Sequence, residues 1–107
     1  MTNHSLEYQH YIKSKKWRSL SRKCCQSTGH RCCVYSGLKA TQSHHVSYEN
    51  LGHERIGVDI FPVSDDGHKL LHNQRFWQNP QLRELVRRFL VKRYEKLRRD
   101  RQQFQCS

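Results

Sequence analysis

Apolar and polar positions along this chain predict helices at both ends and short strands between them. In residues 6 to about 23, aromatic and aliphatic side chains recur at roughly helical spacing, and Ser5 stands where an N-cap is expected. A second helical stripe follows Asn79 and Pro80, a cap residue and a first-turn proline. Its apolar positions are Leu82, Leu85, Val86, Phe89, Leu90 and Leu97. We expect this stripe to pack on the domain or on a second copy of the chain.

The middle of the chain predicts short strands and one short helix. Residues 31–35 and 39–46 predict a hairpin around Ser36 and Gly37, and residues 59–63 predict an apolar strand. Ser64 is the expected cap of a helix over residues 65–72, whose first turn carries two aspartates. Gly67 weakens that helix by about 1 kcal/mol relative to alanine, so a bound metal would help to hold it.

The histidines of this middle segment stand at spacings that suit a metal site. His44 and His45 are adjacent, Asp59 follows, and His68 and His72 stand four positions apart on the predicted helix. Positions i and i+4 share one helix face, so both imidazoles can reach a single ion. Neighbouring strand residues point to opposite faces, so only one of the adjacent pair joins that ion easily. The other is left beside it, which is an arrangement suited to hydrolysis.

This layout resembles the HNH endonucleases, also called ββα-metal nucleases. The resemblance covers roughly residues 8–73. Within that range it is strengthened by three further matching segments, Tyr8 to Trp17, Cys33 to Gly37 and His44 to Gly52. It implies an α+β fold in a single domain over residues 1–107. An N-terminal helical segment (1–31) would precede a ββα-metal core (32–74), and a long basic helix (79–107) would follow it.

The same resemblance implies the roles of the site residues. His44, His68 and His72 would hold the metal, His45 would be the general base, and Asp59 falls where the family has an asparagine. Asp59 would brace its loop or orient His45. The activity implied is metal-dependent hydrolysis of DNA, leaving a 5′-phosphate and a 3′-hydroxyl. Imidazole ligands favour zinc, manganese, nickel or cobalt, with magnesium an option, and we expect activity to fall below about pH 6.

The charge of the chain favours a polyanionic partner. The formal net charge is +11, which points to double-stranded DNA with little sequence preference, although a solvated basic surface or an anionic membrane would also account for it. Candidate phosphate contacts are Arg31, Arg55, Lys69 and Arg75. No apolar run approaches membrane-spanning length and no signal peptide is evident, so we expect an intracellular protein, in a prokaryote, a phage-infected cell or an organelle.

The cysteines leave two alternatives open. Cys24, Cys25, Cys32 and Cys33 could supply a second metal site or a disulfide, or they could be buried as small apolar residues. Many relatives carry two Cys-x-x-Cys pairs, whereas Ser36, Ser64 and Gly67 replace three of those positions here.

Two other functions compete with the nuclease. One is a metal-stabilised nucleic-acid-binding module without catalysis, and the other is an accessory subunit of a phage DNA-processing complex. In either case the C-terminal helix could form a homodimer or dock on a phage or host protein. Among the remaining histidines, His53 could approach the site from its loop, and His4, His10 and His30 are expected to be solvated.

Overall fold

A computed structural model describes residues 6–34, 38–73 and 78–106, without the side chains of residues 103–106. The fold is mixed α+β. In chain order the described elements are α1 (Leu6–Tyr11), α2 (Lys15–Ser27), β1 (Gln42–His45), β2 (Ile60–Val63), α3 (Asp65–Leu71) and α4 (Pro80–Cys106). The α+β class expected from the sequence is confirmed. The predicted cap Ser5 lies outside the described residues, as do Ser36 and Gly37 of the predicted hairpin.

The first predicted helix is two helices, because Ser14 interrupts it. The Ser14 hydroxyl donates to the carbonyl of Tyr11 at 2.5 Å and accepts from the amide of Trp17 at 3.2 Å. A serine that bonds the local backbone in this way ends one helix and caps the next. The second helix then continues to Ser27, beyond the predicted end.

The sheet pairs different segments from those predicted. β1 runs antiparallel to β2, with His44 opposite Phe61 and His45 opposite Ile60. Of the predicted hairpin, the described residues keep a single bridge between Arg31 and Lys39. Every residue of β2 is buried, and its pairing with β1 satisfies backbone groups that would otherwise be left without partners in the core.

The core lies between β2 and α4. Phe61 and Val63 pack with Leu90, Tyr94 and Leu97 of the long helix. Asn79 caps α4 as predicted, because its side-chain oxygen accepts from the amides of residues 81 and 82.

The predicted apolar stripe of α4 is buried only in part. Leu90 and Leu97 are buried in the core, whereas Leu85 and Phe89 are 57% and 51% exposed. The N-terminal part of the stripe therefore stays open to solvent, and docking on a second copy or a protein partner remains a prediction. No helix in the described ranges has both the length and the apolar character needed to cross a membrane.

Candidate metal centre and histidine cleft

Three histidines from two elements converge on one point. His44 lies on β1, His68 lies on α3, and His72 follows as the C-cap of α3. One ring nitrogen from each lies within 4.8 Å of the others. In the described part of the chain, this is the one group of three or more histidine, cysteine or acidic side chains that could hold a metal ion. The predicted ligand set is therefore brought together.

The capping of α3 explains how His68 and His72 are held in place. The Ser64 hydroxyl accepts from the amide of Gly67 at 3.0 Å, and Asp65 and Asp66 occupy the positive end of the helix. Gly67 also allows close packing, since a Cβ atom there would lie 3.1 Å from the Ser64 hydroxyl and 3.2–3.3 Å from two further side chains. The glycine that seemed only to weaken the helix lets it approach the core.

A hydrogen-bond chain fixes the ring of His68. Asp65 accepts from the amide nitrogen of Gln42 at 3.1 Å, and the amide oxygen of Gln42 lies 2.6 Å from Nδ1 of His68. The oxygen can only accept, so Nδ1 carries the proton and Nε2 presents a lone pair. That Nε2 lies 2.9 Å from Nε2 of His72. Outer contacts of this kind typically orient metal-binding histidines.

The environment favours the neutral forms of His44 and His68. Burial, followed by the charges of His68 and His72, holds the pKa of His44 well below its ordinary value. Burial and neighbouring histidines lower the pKa of His68 to about 4. His44 is buried and His72 is exposed, so the group opens to solvent on one side. Neutral imidazoles with a solvent path can accept a cation, so the donor set fits a divalent metal ion.

His45 faces away from this group, as strand geometry predicts. Its ring stacks between Trp17, at a centroid distance of 4.6 Å, and Tyr48, at 5.1 Å, and meets the edge of Tyr8. Its Nε2 lies 2.6 Å from Oε2 of Glu54. Trp17 is partly buried, and its ring packs against His45.

Glu54 is a candidate site residue that the sequence did not reveal. Its other oxygen accepts from the hydroxyl of Tyr11 at 2.7 Å and from the amide of Gly52 at 2.9 Å. Burial alone raises the pKa of Glu54, but the hydrogen bonds from His45 and Tyr11 outweigh it and leave the pKa below its ordinary value. An ionised carboxylate cannot donate, so Nε2 of His45 carries the proton and, in the neutral ring, Nδ1 is the basic atom.

Asp59 braces the loop that carries Glu54. Its Oδ2 accepts from the backbone amide of Arg55 at 2.9 Å, from the Arg55 side chain at 3.2 Å and from Asn50 at 3.2 Å. The carbonyl of Asp59 also accepts from the amide of Val46, just beyond β1. These contacts fit the first of the two predicted roles, bracing the loop. The carboxylate that accepts a hydrogen bond from His45 is that of Glu54.

A cavity of about 190 Å³, here called the histidine cleft, adjoins both parts of the site. Its lining includes His44, His45, Leu71, Arg83, Glu84 and Arg87. The last three come from the first turns of α4, which the sequence did not connect with the site. The packing of α4 across the sheet is a long-range feature, so residue spacing alone gave no signal for it.

The predicted phosphate contacts lie elsewhere or outside the described residues. Arg55 pairs with Asp59, and Lys69 pairs with Asp65 at 3.1 Å. Arg31 lines a different cavity, and Arg75 falls outside the described residues. None of the three described side chains lines the histidine cleft, and contact with a nucleic acid remains a prediction for each.

The remaining predicted histidines are peripheral. His10, His30 and His53 are exposed, which agrees with the solvated positions expected for His10 and His30. His53 lines a separate cavity with lysines of α2. His4 lies outside the described residues.

The four cysteines do not form the second metal site considered above. All are buried thiols, and none joins a group able to hold an ion within the ranges described. Burial raises the pKa of Cys24 and of Cys33 to about 12, which favours their thiol forms. Cys32 instead accepts from the amide of Ser64 at 3.2 Å, which ties the start of α3 to the core. The burial of all four cysteines agrees with the other alternative, in which they pack as small apolar residues.

Comparison of the chain with protein-family models, with curated proteins and with solved structures found no match.

Proposed function

We propose that this protein is a metal-dependent endonuclease of the HNH type that hydrolyses phosphodiester bonds in DNA. The observation that best supports the proposal is that the adjacent residues His44 and His45 have different partners. His44 joins a three-histidine group, whereas His45 pairs with a buried carboxylate, and both line one cleft. This combines a place for a cation with an oriented base beside it.

In the proposed reaction, His45 activates the attacking water. Its Nδ1 takes a proton from the water as the oxygen attacks phosphorus, and the bond from phosphorus to the 3′ oxygen breaks. The products are a 5′-phosphate and a 3′-hydroxyl. Glu54 stabilises the imidazolium that forms, because its carboxylate accepts the Nε2 proton at 2.6 Å. The oxygen of the leaving group acquires a proton from solvent.

His44, His68 and His72 are the residues that would hold the cation. When bound, a divalent ion would supply Lewis-acid stabilisation of the charge that develops on the phosphate oxygens. Three protein ligands leave a coordination position open for substrate, which structural sites usually lack. Nitrogen donors favour zinc, nickel, cobalt or manganese over magnesium.

The charge of the chain supports DNA as the substrate class. With a formal net charge of +11, binding to a phosphate backbone would release counterions and would weaken steeply with salt. No element that would read base edges was evident in the sequence, so we propose weak sequence preference.

A second candidate is a metal-stabilised nucleic-acid-binding module without catalysis. The observation that favours it is the burial of His45, which is only 3% exposed and is stacked between two aromatic rings. A histidine held in this way could serve packing alone. The two candidate functions predict different effects on DNA cleavage when the ring of His45 is removed.

Plasmid nicking in the presence of manganese, nickel or zinc separates the candidates. If the protein is an endonuclease, the wild type should convert supercoiled plasmid to nicked or linear forms. His45→Ala should lose at least about a hundredfold in rate, while His53→Ala, which alters an exposed loop histidine, should match the wild type. Equal cleavage by wild type and His45→Ala would reject the assigned base. No cleavage by the wild type with any of the three metals would favour the binding module.

A further inference from the structure

Residues from the first turns of α4 supply a large part of the lining of the histidine cleft. They include Arg83, Glu84 and Arg87, and the lining also contains the apolar residues Leu71 and Val86. Positions 83 and 87 are four residues apart, so both side chains start from one helix face. Two arginines together with apolar residues suit a sugar-phosphate backbone, because the sugar can pack on the apolar side chains while the phosphate meets the cations.

The two arginines differ in how they are engaged. Arg83 forms no ion pair with any residue that the structure describes. Arg87 is held by Glu84 through two contacts, 2.7 Å from Nε to Oε1 and 2.6 Å from Nη2 to Oε2. Both side chains of this pair are almost half exposed, at 45% and 42%. Solvent screening makes such a pair weak, so a competing anion can open it.

We propose that Arg83 and Arg87 are the phosphate-binding wall of the cleft, and that Glu84 competes with the phosphate for Arg87. Two oxygens of a phosphodiester match the planar guanidinium fork as well as a carboxylate does. Glu84 would keep a partner after the exchange, because it also accepts from Nε of Arg88 at 3.1 Å. The inference rests on the proposed function in one respect only, which is that DNA enters this cleft.

Glu84 gives the proposal a sharp consequence. Its carboxylate places a negative charge in the lining of a cleft that is to receive a phosphate. Removing that charge should strengthen DNA binding, whereas removing either arginine should weaken it. A protein that binds DNA only through its overall positive charge would respond almost equally to the loss of any one arginine.

The test measures binding of a fluorescein-labelled 20-base-pair duplex to the zinc-loaded full-length chain, with His45→Gln present throughout to prevent cleavage. Arg83→Gln and Arg87→Gln should each raise Kd by about fivefold or more and lower the salt slope by about 1. Arg99→Gln is the matched control, because Arg99 is an exposed arginine of the same helix, and it should change Kd by less than about twofold. Glu84→Gln should lower Kd by about threefold.

A double variant separates the loss of Arg87 from the release of Glu84. Arg87→Gln alone also leaves the charge of Glu84 without this partner, and that charge would repel DNA. The same change is therefore measured in the Glu84→Gln background, where it should still raise Kd by about fivefold. Michaelis constants for plasmid cleavage, measured without His45→Gln, provide a second readout should that change impair folding.

Three outcomes decide the proposal. If Arg83→Gln and Arg87→Gln behave like Arg99→Gln, the phosphate wall is wrong, even if the wild type cleaves DNA. If Glu84→Gln weakens binding as Arg87→Gln does, Glu84 supports Arg87 and the competition is wrong. If the expected pattern of Kd values appears but the wild type cleaves nothing, the phosphate wall stands and the nuclease proposal fails.

Discussion

Nε2 of His45 lies 2.6 Å from Oε2 of Glu54, and neither side chain is more than 3% exposed. A contact this short between two buried groups fixes which ring nitrogen carries the proton. It also places a negative charge where an imidazolium would be stabilised. The pair therefore turns a histidine packed among aromatic rings into a candidate base, and Glu54 becomes the residue whose replacement is most informative.

Glu54→Gln should lower the cleavage rate by about tenfold to a hundredfold and leave metal affinity unchanged. Glutamine keeps the size of the side chain but removes the charge that stabilises a protonated His45, so the acidic limb of the rate profile, where the base loses its proton, should also move to lower pH. The measurement is kcat for plasmid cleavage from pH 5 to 9. Glu49→Gln, a change at an exposed acid near the same loop, is the control and should have no effect. An unshifted pH profile for Glu54→Gln would argue that Glu54 only supports packing.

Gln42→Ala should weaken metal binding by about tenfold to a hundredfold without unfolding the protein. The change removes the acceptor that holds Nδ1 of His68, so the ring loses its fixed orientation. Zinc titration followed by calorimetry measures the effect, with the exposed Gln81→Ala as the matched control. A zinc affinity equal to that of the wild type would show that α3 alone orients His68.

The metal-free protein should lose stability as the pH falls from about 6.5 to about 4. The pKa of His68 drops from 6.5 to about 4 on folding, and that of His44 is lowered as well. Between these values the unfolded chain binds more protons than the folded chain, so acid favours unfolding. The contribution is fully present above pH 6.5 and is lost as the pH approaches 4.

Urea unfolding of the metal-free protein at pH 7.5 and pH 4.5 checks this expectation. His68→Gln should flatten the dependence of the free energy of unfolding on pH, whereas His53→Gln should not. A free energy of unfolding that is the same at both pH values would contradict the buried neutral cluster. Because the pKa of His68 is about 4, this ligand stays mostly unprotonated just below pH 6, so its titration does not account for the predicted loss of activity there.

Asp59→Ala should reduce the cleavage rate but leave metal binding intact. Asp59 ties the backbone of Arg55 and the side chain of Asn50 to the end of the loop, so its loss loosens the segment that presents Glu54. Asp59→Asn should retain more activity than alanine, because an amide oxygen can still accept those hydrogen bonds. Loss of zinc affinity in Asp59→Ala would instead make Asp59 a ligand.

Local geometry explains why the metal group could be predicted from the sequence. The i, i+4 spacing of His68 and His72 and the alternation of His44 and His45 depend only on helix and strand periodicity. The capping residues Ser64 and Asn79 were predictable for the same reason, since each bonds amides two or three positions ahead.

Long-range packing explains what could not be predicted. Glu54 contacts His45 because of the path of its loop, which Asp59 and Gly57 help to fix. Gly57 lets the loop pass close to Tyr94, since a Cβ atom at this position would lie 2.5 Å from the Tyr94 ring. Arg83 and Arg87 reach the cleft only because α4 packs across β2. The choice of β2 as the partner of β1 likewise depends on burial that spacing does not encode.

A crystal structure of the zinc-loaded protein, with an anomalous difference map at the zinc edge, would show which residues hold the ion. We expect a single strong peak about 2.0–2.1 Å from one ring nitrogen each of His44, His68 and His72, with His45 still hydrogen-bonded to Glu54. A peak ligated by His45 or by the cysteines, or no ordered zinc among the three histidines, would contradict the proposed metal site.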